Sequence, residues 1–243
     1  MMRNCIGVDE AGRGPVIGPL IVCSISIPEG DMDQLEKIEV DDSKKLSKAK
    51  RLELFEKIVA IAEHRGWGIG TINCSPEEID LNMAESNLNS LEVVLFSKAI
   101  TQSSKTTSNN KILLDACDVD AKRFGRRVAR ELGASWESSE IFSQHKMDAR
   151  NPLVAAASIV AKITRDCEMQ KLSDDIGFDL GSGYPSDPKT KNAMKILCEG
   201  DLPADCLRWS WSTVSDTWSA MGKGESPIRS SDGKCFVQSS LID

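Results

Sequence analysis

The opening of the chain limits the choice of fold more than any other stretch. Two apolar runs of strand length, NCIGVD (4–9) and PLIVCSISI (19–27), are separated by the Gly/Pro-rich AGRGPVIG. Short apolar runs bounded by glycine and proline read as strands, since a helix needs a longer periodic pattern. The first run ends in two adjacent carboxylates, Asp9 and Glu10, and the arginine that follows stands between Gly12 and Gly14. An unpaired charge is costly to bury, so acids led out of an apolar strand require something that neutralises them.

After this pair of strands the period changes. Leu52, Phe55, Ile58, Val59 and Ala62 fall at three-and-four spacing, which predicts one face of a helix over 47–64. GWGIGTIN (66–73) alternates like a strand. Ser75-Pro76-Glu77-Glu78 predicts a helix start: a capping serine, a proline suited to the first turn, and a glutamate placed for a capping box. A longer helix is expected over 84–102, then a surface loop, QSSKTTSNNK. KILLDA (111–116) reads as a strand buried on both faces, followed by a helix over 121–133 that Asp118 and Asp120 cap, and a further strand over 139–146. Pro152 begins a helix rich in small residues that runs to about 172, ahead of the glycine-rich GFDLGSGYPSDPKT and the tryptophan-rich LRWSWSTVSDTW.

Paired strands early and alternating strand and helix later point to an α/β protein with a mixed sheet flanked by helices. One domain is expected over 1–195, a helical C-terminal region packed on it over 196–221, and a flexible tail over 222–243.

Composition narrows the classes further. A hydrophobic share of 40% and a charged share of 28% suit a soluble globular chain. No apolar run approaches the length of a membrane-spanning helix, and the N-terminus lacks a cleavage pattern, so a cytoplasmic location without membrane contact is expected. The eight cysteines are scattered with no CxxC pair, and the only histidines are His64 and His145, which speaks against a structural zinc site or a disulfide framework. A net charge of −7 argues against a general nucleic-acid binder, although a local basic face can coexist with an acidic remainder.

Asp115 ends the strand ILLD, and Asp148 lies in HKMDARNP just before the Pro152 helix. Sites in open α/β sheets form at strand ends, so these acids and the Asp9–Glu10 pair can converge. Clustered oxygen ligands suit Mg²⁺ or Mn²⁺, and two such ions about 4 Å apart hydrolyse phosphodiesters. The plainer alternative is that such carboxylates cap turns or pair with arginines, and that Asp148 favours a helix dipole. Neighbours on a strand point to opposite faces, so Asp9 and Glu10 share one site only if the strand breaks at Glu10.

Taken in order from residue 4 to 217, DEAGRGPVIGPL, DDSKKLS, NLNSLE, LLDACDVDAKRF, HKMDARNPLVAAASIVAKITRD, GSGYPSDPKTK and RWSWSTV resemble the type 2 ribonucleases H. The pattern is similar to the archaeal single-chain form and to the catalytic subunit of the eukaryotic enzyme. The resemblance implies a ribonuclease H-like five-stranded mixed sheet flanked by helices, with a small helical C-terminal extension. It implies an endoribonuclease that cleaves the RNA strand of RNA/DNA hybrids and nicks 5′ of ribonucleotides embedded in duplex DNA, leaving a 3′-hydroxyl and a 5′-phosphate. It also implies that Asp9, Glu10, Asp115 and Asp148 are the catalytic acids and hold two Mg²⁺ or Mn²⁺ ions.

By the same resemblance the backbone of Gly12, Arg13 and Gly14 reads the ribose 2′-hydroxyl, where a side chain would keep the duplex away. Tyr184 is expected against the sugar at the RNA–DNA junction. Ser43, Lys44 and Lys45, in a turn before a helix, are candidate phosphate contacts, as are Lys146 and the pair Lys162 and Arg165 at helical i,i+3 spacing. His145, three residues before Asp148, is expected to bond to backbone rather than to catalyse. Gln238 and Leu241 have the spacing that opens a sliding-clamp binding motif, but the aromatic pair of that motif is missing. A monomer is expected. A junction nuclease or integrase on the same fold would lack GRG and GYPSDPKT, and a catalytically silent hybrid-binding subunit would have lost an acid.

Overall fold

The computed structural model describes residues 3–40, 46–104, 109–230 and 236–237. In chain order the strands are β1 (Asn4–Ala11), β2 (Leu20–Pro28), β3 (Gly68–Cys74), β4 (Lys111–Asp115), β5 (Glu140–Gln144), β6 (Pro227–Ile228) and β7 (Phe236–Val237). The α-helices are α1 (Met32–Lys37), α2 (Lys48–Arg65), α3 (Pro76–Glu85), α4 (Leu88–Ser103), α5 (Ala121–Leu132), α6 (Pro152–Ile176), α7 (Pro188–Leu197) and α8 (Ser212–Ala220). None among the described residues is long and apolar enough to cross a membrane.

Contacts divide the chain into two compact units: Met1–Ala11, Ile21–Asn73 and Asn89–Thr164 in one, and Gly12–Leu20, Cys74–Leu88 and Arg165–Asp243 in the other. The partition therefore does not follow the boundary expected at residue 195. The physical reason is that the second unit gathers three segments distant in sequence, which no linker signal marks.

The first unit holds a five-stranded mixed sheet in the order β3-β2-β1-β4-β5. β1 runs antiparallel to β2 and parallel to β4, and β4 runs parallel to β5. Alternation along the strands sorts their side chains between two helical layers. Cys5 and Ala11 of β1, with Ile21, Cys23, Ile25 and Ile27 of β2, pack with Leu54, Ile58 and Ala62 of α2 and Leu153, Ala156 and Val160 of α6. The other face carries α4 and α5. Ser24 Oγ meets Ser103 Oγ at 2.8 Å, and the Phe96 and Phe124 rings meet edge to face at 5.1 Å.

Gly7 explains how closely α6 approaches β1. A Cβ there would lie 2.7 Å from Leu153 Cγ and 2.8 Å from the Leu153 backbone, so only glycine admits the helix at that level.

Most expected elements are present, with instructive shifts. The α2 stripe that is buried is Leu54, Ile58 and Ala62, whereas Leu52 is exposed. The helix has apolar residues around much of its circumference, so docking rather than periodicity selects the face. The expected helix over 84–102 is α4, which begins at Leu88, because α3 ends at Glu85 just before it. Ser75 and Glu78 form the full capping box, with Glu78 N donating to Ser75 Oγ and Ser75 N to Glu78 Oε2. Asp120 caps α5 through the Arg123 amide, and Asp118 instead receives the Arg123 side chain.

In the second unit Val16, Ile17, Leu180, Met194, Leu207, Val214 and Trp218 form a core with α7 and α8. Residues 222–230, expected as a flexible tail, contain β6, which pairs with β7, and the buried Arg229. Arg229 Nε donates to Asp80 Oδ2 at 3.0 Å and Nη1 to Asp205 Oδ1 at 3.0 Å, and its guanidinium lies 4.2 Å from the Trp209 ring centroid. Composition marks this segment as polar. A charge pair supplied by residues far away in sequence anchors it.

Candidate active site

β1 and β4 run parallel and side by side, so their carboxyl ends carry Asp9 and Asp115 to the same edge of the sheet. Parity puts both on the α6 side: Asp9 shares its face with Cys5 and Ala11, and Asp115 with Leu113, which packs on Met147 and Val154. Asp148 comes from the turn that leads into α6. Each of Asp9, Asp115 and Asp148 offers a carboxylate oxygen, and the three oxygens lie within 4.8 Å of one another. Among the described residues this is the group of acids, histidines and cysteines suited to hold a metal ion.

Local backbone bonds fix each carboxylate. The Glu10 amide donates to Asp9 Oδ1 at 2.8 Å, the Met147 amide to Asp115 Oδ1 at 3.0 Å, and the Ala149 amide to Asp148 Oδ1 at 2.9 Å. Asp9 and Asp148 are buried. Burial pushes the Asp9 carboxyl well above the usual range, and the nearby charges of Glu10 and Asp115 add to the effect, opposed by the Ser158 hydroxyl of α6 and the Glu10 amide. Crowded buried oxygens that repel one another form a site for a hard divalent cation, and the all-carboxylate donor set fits Mg²⁺ or Mn²⁺.

Glu10 differs from the other three. β1 continues unbroken through Ala11, with Glu10 paired to Val22 and Ala11 to Ile21, so the break that would let Asp9 and Glu10 share one site does not occur. Glu10 is half-buried, is not one of the group within 4.8 Å, and by alternation belongs to the opposite face of β1. Its charge still reaches Asp9. His145, as expected, lies against backbone, with its ring nitrogens 3.3 Å from the carbonyl oxygens of Ala116 and Val119. Lys146 is exposed, and Lys162 is half-buried on α6. Ser43, Lys44, Lys45, Gln238 and Leu241 lie outside the described residues.

In the second unit a buried arginine organises the Gly12-Arg13-Gly14 segment. Arg208 donates to the carbonyl oxygens of Gly12 at 2.6 Å, Arg13 at 3.0 Å and Gly18 at 3.0 Å. Burial, with the Arg165 charge nearby, lowers its pKa to about 10, so it remains a cation near neutral pH. Gly12 has φ +100°, and a Cβ there would lie 2.5 Å from Arg165 Nε, so glycine is required on both counts.

Arg165, expected as a surface phosphate contact, is fully buried. It donates to the carbonyls of Ile17 at 3.3 Å and Ser182 at 3.1 Å, and the Tyr184 ring centroid lies 5.5 Å from its guanidinium. This corrects the sequence expectation: Lys162 and Arg165 share helical spacing, but burial separates their roles. Tyr184 is 38% exposed, and a Cβ on Gly14 would lie 3.5 Å from its Cε1. Behind Arg208, the Asp80 carboxylate accepts the amides of Trp209 at 2.8 Å and Ser210 at 3.0 Å.

Sequence reasoning missed Ser158, Arg208 and Asp80. Only Arg208 left a signal, in RWSWSTV; a serine on a small-residue helix and an acid inside a capped helix look ordinary.

The ribonuclease HII family model matches residues 6–214. A ribonuclease HII of Pyrococcus furiosus is 44% identical over 210 residues, covering 86% of this chain and 88% of that protein. The ribonuclease H2 of Pyrococcus horikoshii OT3 superposes with a TM-score of 0.77 at 36% identity, covering 91% of this chain and all of that one. A ribonuclease HII from Archaeoglobus fulgidus, solved in complex with PCNA, gives a TM-score of 0.72 at 36% identity and covers 87% of this chain and 95% of that one.

Proposed function

The chain belongs to the ribonuclease HII family and is a hydrolytic nuclease acting on RNA/DNA hybrids, and we propose that Asp9, Glu10, Asp115 and Asp148 are its catalytic acids. The observation that carries this is the convergence of three acids, distant in sequence, on one buried sheet edge. Two Mg²⁺ or Mn²⁺ ions held there would activate the attacking water and stabilise the leaving 3′-oxygen. The protein's part is to hold oxygen atoms still. Backbone amides orient Asp9, Asp115 and Asp148, Ser158 steadies Asp9 from α6, and Glu10 adds charge from the next position on β1.

Recognition falls to the Gly12–Gly14 backbone and to Tyr184. Arg208 holds that backbone from behind and Gly14 leaves the tyrosine ring uncovered, which supports a reading of the ribose 2′-hydroxyl without base contacts. The enzyme then nicks 5′ of single ribonucleotides in duplex DNA, as well as cutting longer hybrids, and serves to remove misincorporated ribonucleotides and RNA primers. Lys146 and Lys162 are retained as phosphate contacts, Arg165 is not, and Ser43, Lys44 and Lys45 remain candidates from sequence. Complex formation with PCNA by the Archaeoglobus protein makes sliding-clamp binding through the Gln238–Leu241 segment a reading to test by pull-down. A monomeric, cytoplasmic enzyme is proposed.

The test is a labelled duplex with one embedded ribonucleotide. With Mg²⁺ or Mn²⁺ the protein nicks it and leaves an all-DNA control intact. Tyr184→Ala lowers cutting at the single ribonucleotide by about tenfold, in keeping with one lost stacking contact. An equal fall on long hybrids would remove the tyrosine's sensing role.

A further inference from the structure

Tyr184 is carried by the glycine-rich loop of residues 177–187, which joins α6 to α7. A surface loop of that composition does not by itself keep a side chain in one place. The group that fixes it is Thr190, in the first turn of α7 and fully buried. A hydroxyl can donate one hydrogen bond while accepting another. Thr190 Oγ1 does both: it accepts from the Gly183 amide at 3.0 Å and donates to the Leu180 carbonyl at 2.9 Å. The two bonds close the neck of the loop just ahead of the tyrosine. Nearer the surface, Asp187 accepts from the Ser182 amide at 2.7 Å.

The peptide between Ser182 and Gly183 is thus held at both ends, its carbonyl by Arg165 at 3.1 Å and its amide by Thr190. Gly183 is also the joint to the other half of the proposed ribose reader. Its own carbonyl accepts from the amides of Val16 at 2.8 Å and Ile17 at 3.3 Å, close in sequence to Gly14. A Cβ on Gly183 would lie 2.6 Å from the Ile17 carbonyl oxygen, so the two segments meet without slack. Tyr184 follows at once, with its Cε1 3.5 Å from where a Cβ on Gly14 would stand. With the 182–183 peptide fixed, the direction in which the chain enters Tyr184 is fixed as well.

We propose that Thr190 is a positioning residue for discrimination at the RNA–DNA junction: its hydroxyl sets where Tyr184 stands relative to Gly14. This rests on the reading of Tyr184 as the sugar sensor given above. Being fully buried, Thr190 touches no substrate itself.

The test measures kcat/KM on a duplex with one embedded ribonucleotide and on a long hybrid, for wild type, Thr190→Val, Thr190→Ser and Tyr184→Ala. Valine keeps the shape and loses the hydroxyl, whereas serine keeps the hydroxyl. Thr190→Val lowers cutting at the single ribonucleotide by about fivefold, the equivalent of one hydrogen bond, and cutting of the long hybrid by less than about twofold. Thr190→Ser keeps the wild-type ratio of the two. A merely structural role lowers the melting temperature and both activities together, and leaves that ratio where it was. An unchanged ratio in Thr190→Val overturns the proposal, as does a Thr190→Ser variant that loses the ratio as the valine variant does. If Thr190→Val folds poorly, Thr190→Ala, which leaves space for a water to bond the freed amide and carbonyl, is read against the same two outcomes. Tyr184→Ala separates this proposal from the reading beneath it. If that variant shifts the ratio and Thr190→Val does not, the role of Thr190 alone is lost; if it lowers both substrates alike, the tyrosine's sensing role fails and this proposal with it.

Discussion

At the ends of β1 and β4 three carboxylates crowd together, and burial with neighbouring negative charge pushes the Asp9 carboxyl up. Around Gly12–Gly18 the buried charges have the opposite sign and the opposite fate. Arg208 donates to three carbonyls and Arg165 to two, and Arg229 bonds Asp80 and Asp205. One region stores electrostatic repulsion that a divalent ion relieves. The other region ties its cations to carbonyls and carboxylates of the chain, although Arg165 and Arg208 also repel one another, and those bonds hold its backbone in place.

Substitutions in the two regions accordingly have opposite signatures. Asp115→Asn has the greatest consequence. It lowers cleavage by about three orders of magnitude, because an amide is a poor ligand for a hard cation. Binding of hybrid without metal changes little, and the melting temperature does not fall. Normal cutting by this variant would end the assignment of the acid trio.

Next in size is Asp80→Ala. It removes the acceptor of two backbone amides and leaves Arg229 with fewer partners in a buried position, at a cost of about 3 kcal/mol. For a chain of this size that lowers the melting temperature by roughly 10 °C, measured by circular dichroism. A melt unchanged from wild type would show that the arginine region is not prearranged by these bonds.

A subtler change discriminates best. Asp9→Asn removes charge from the crowded site, so the metal-free variant melts a few degrees above wild type while losing cleavage. Added Mn²⁺ raises the wild-type melting temperature, since an ion that binds only the folded state stabilises it, and raises that of the variant much less. If the metal-free variant instead melts below wild type, repulsion is not what strains the acid site.

Much of this was legible from residue order. The capping box at Ser75, the Asp120 cap, the strand runs and the placement of acids at strand ends follow from local rules that hold wherever the segment lies. The phase of α2 was not legible, because Leu52 and Leu54 are equally apolar and only docking against β2 separates them. The fate of Arg165 was hidden too. Its partners are carbonyls of Ile17 and Ser182, and every peptide offers such an acceptor.

Residue order is thus enough to say which segments are strands and helices, where glycine and proline interrupt them, and which acids stand at their ends. Those outcomes depend on neighbours a few residues apart. The meeting of Asp9, Asp115 and Asp148, the turning of Glu10 to the other side of β1, and the anchoring of the polar segment around Arg229 on Asp80 belong to the folded chain. Charge–charge distances are set by strand register and helix docking, and those arise only when segments far apart in the chain bury one another's apolar faces.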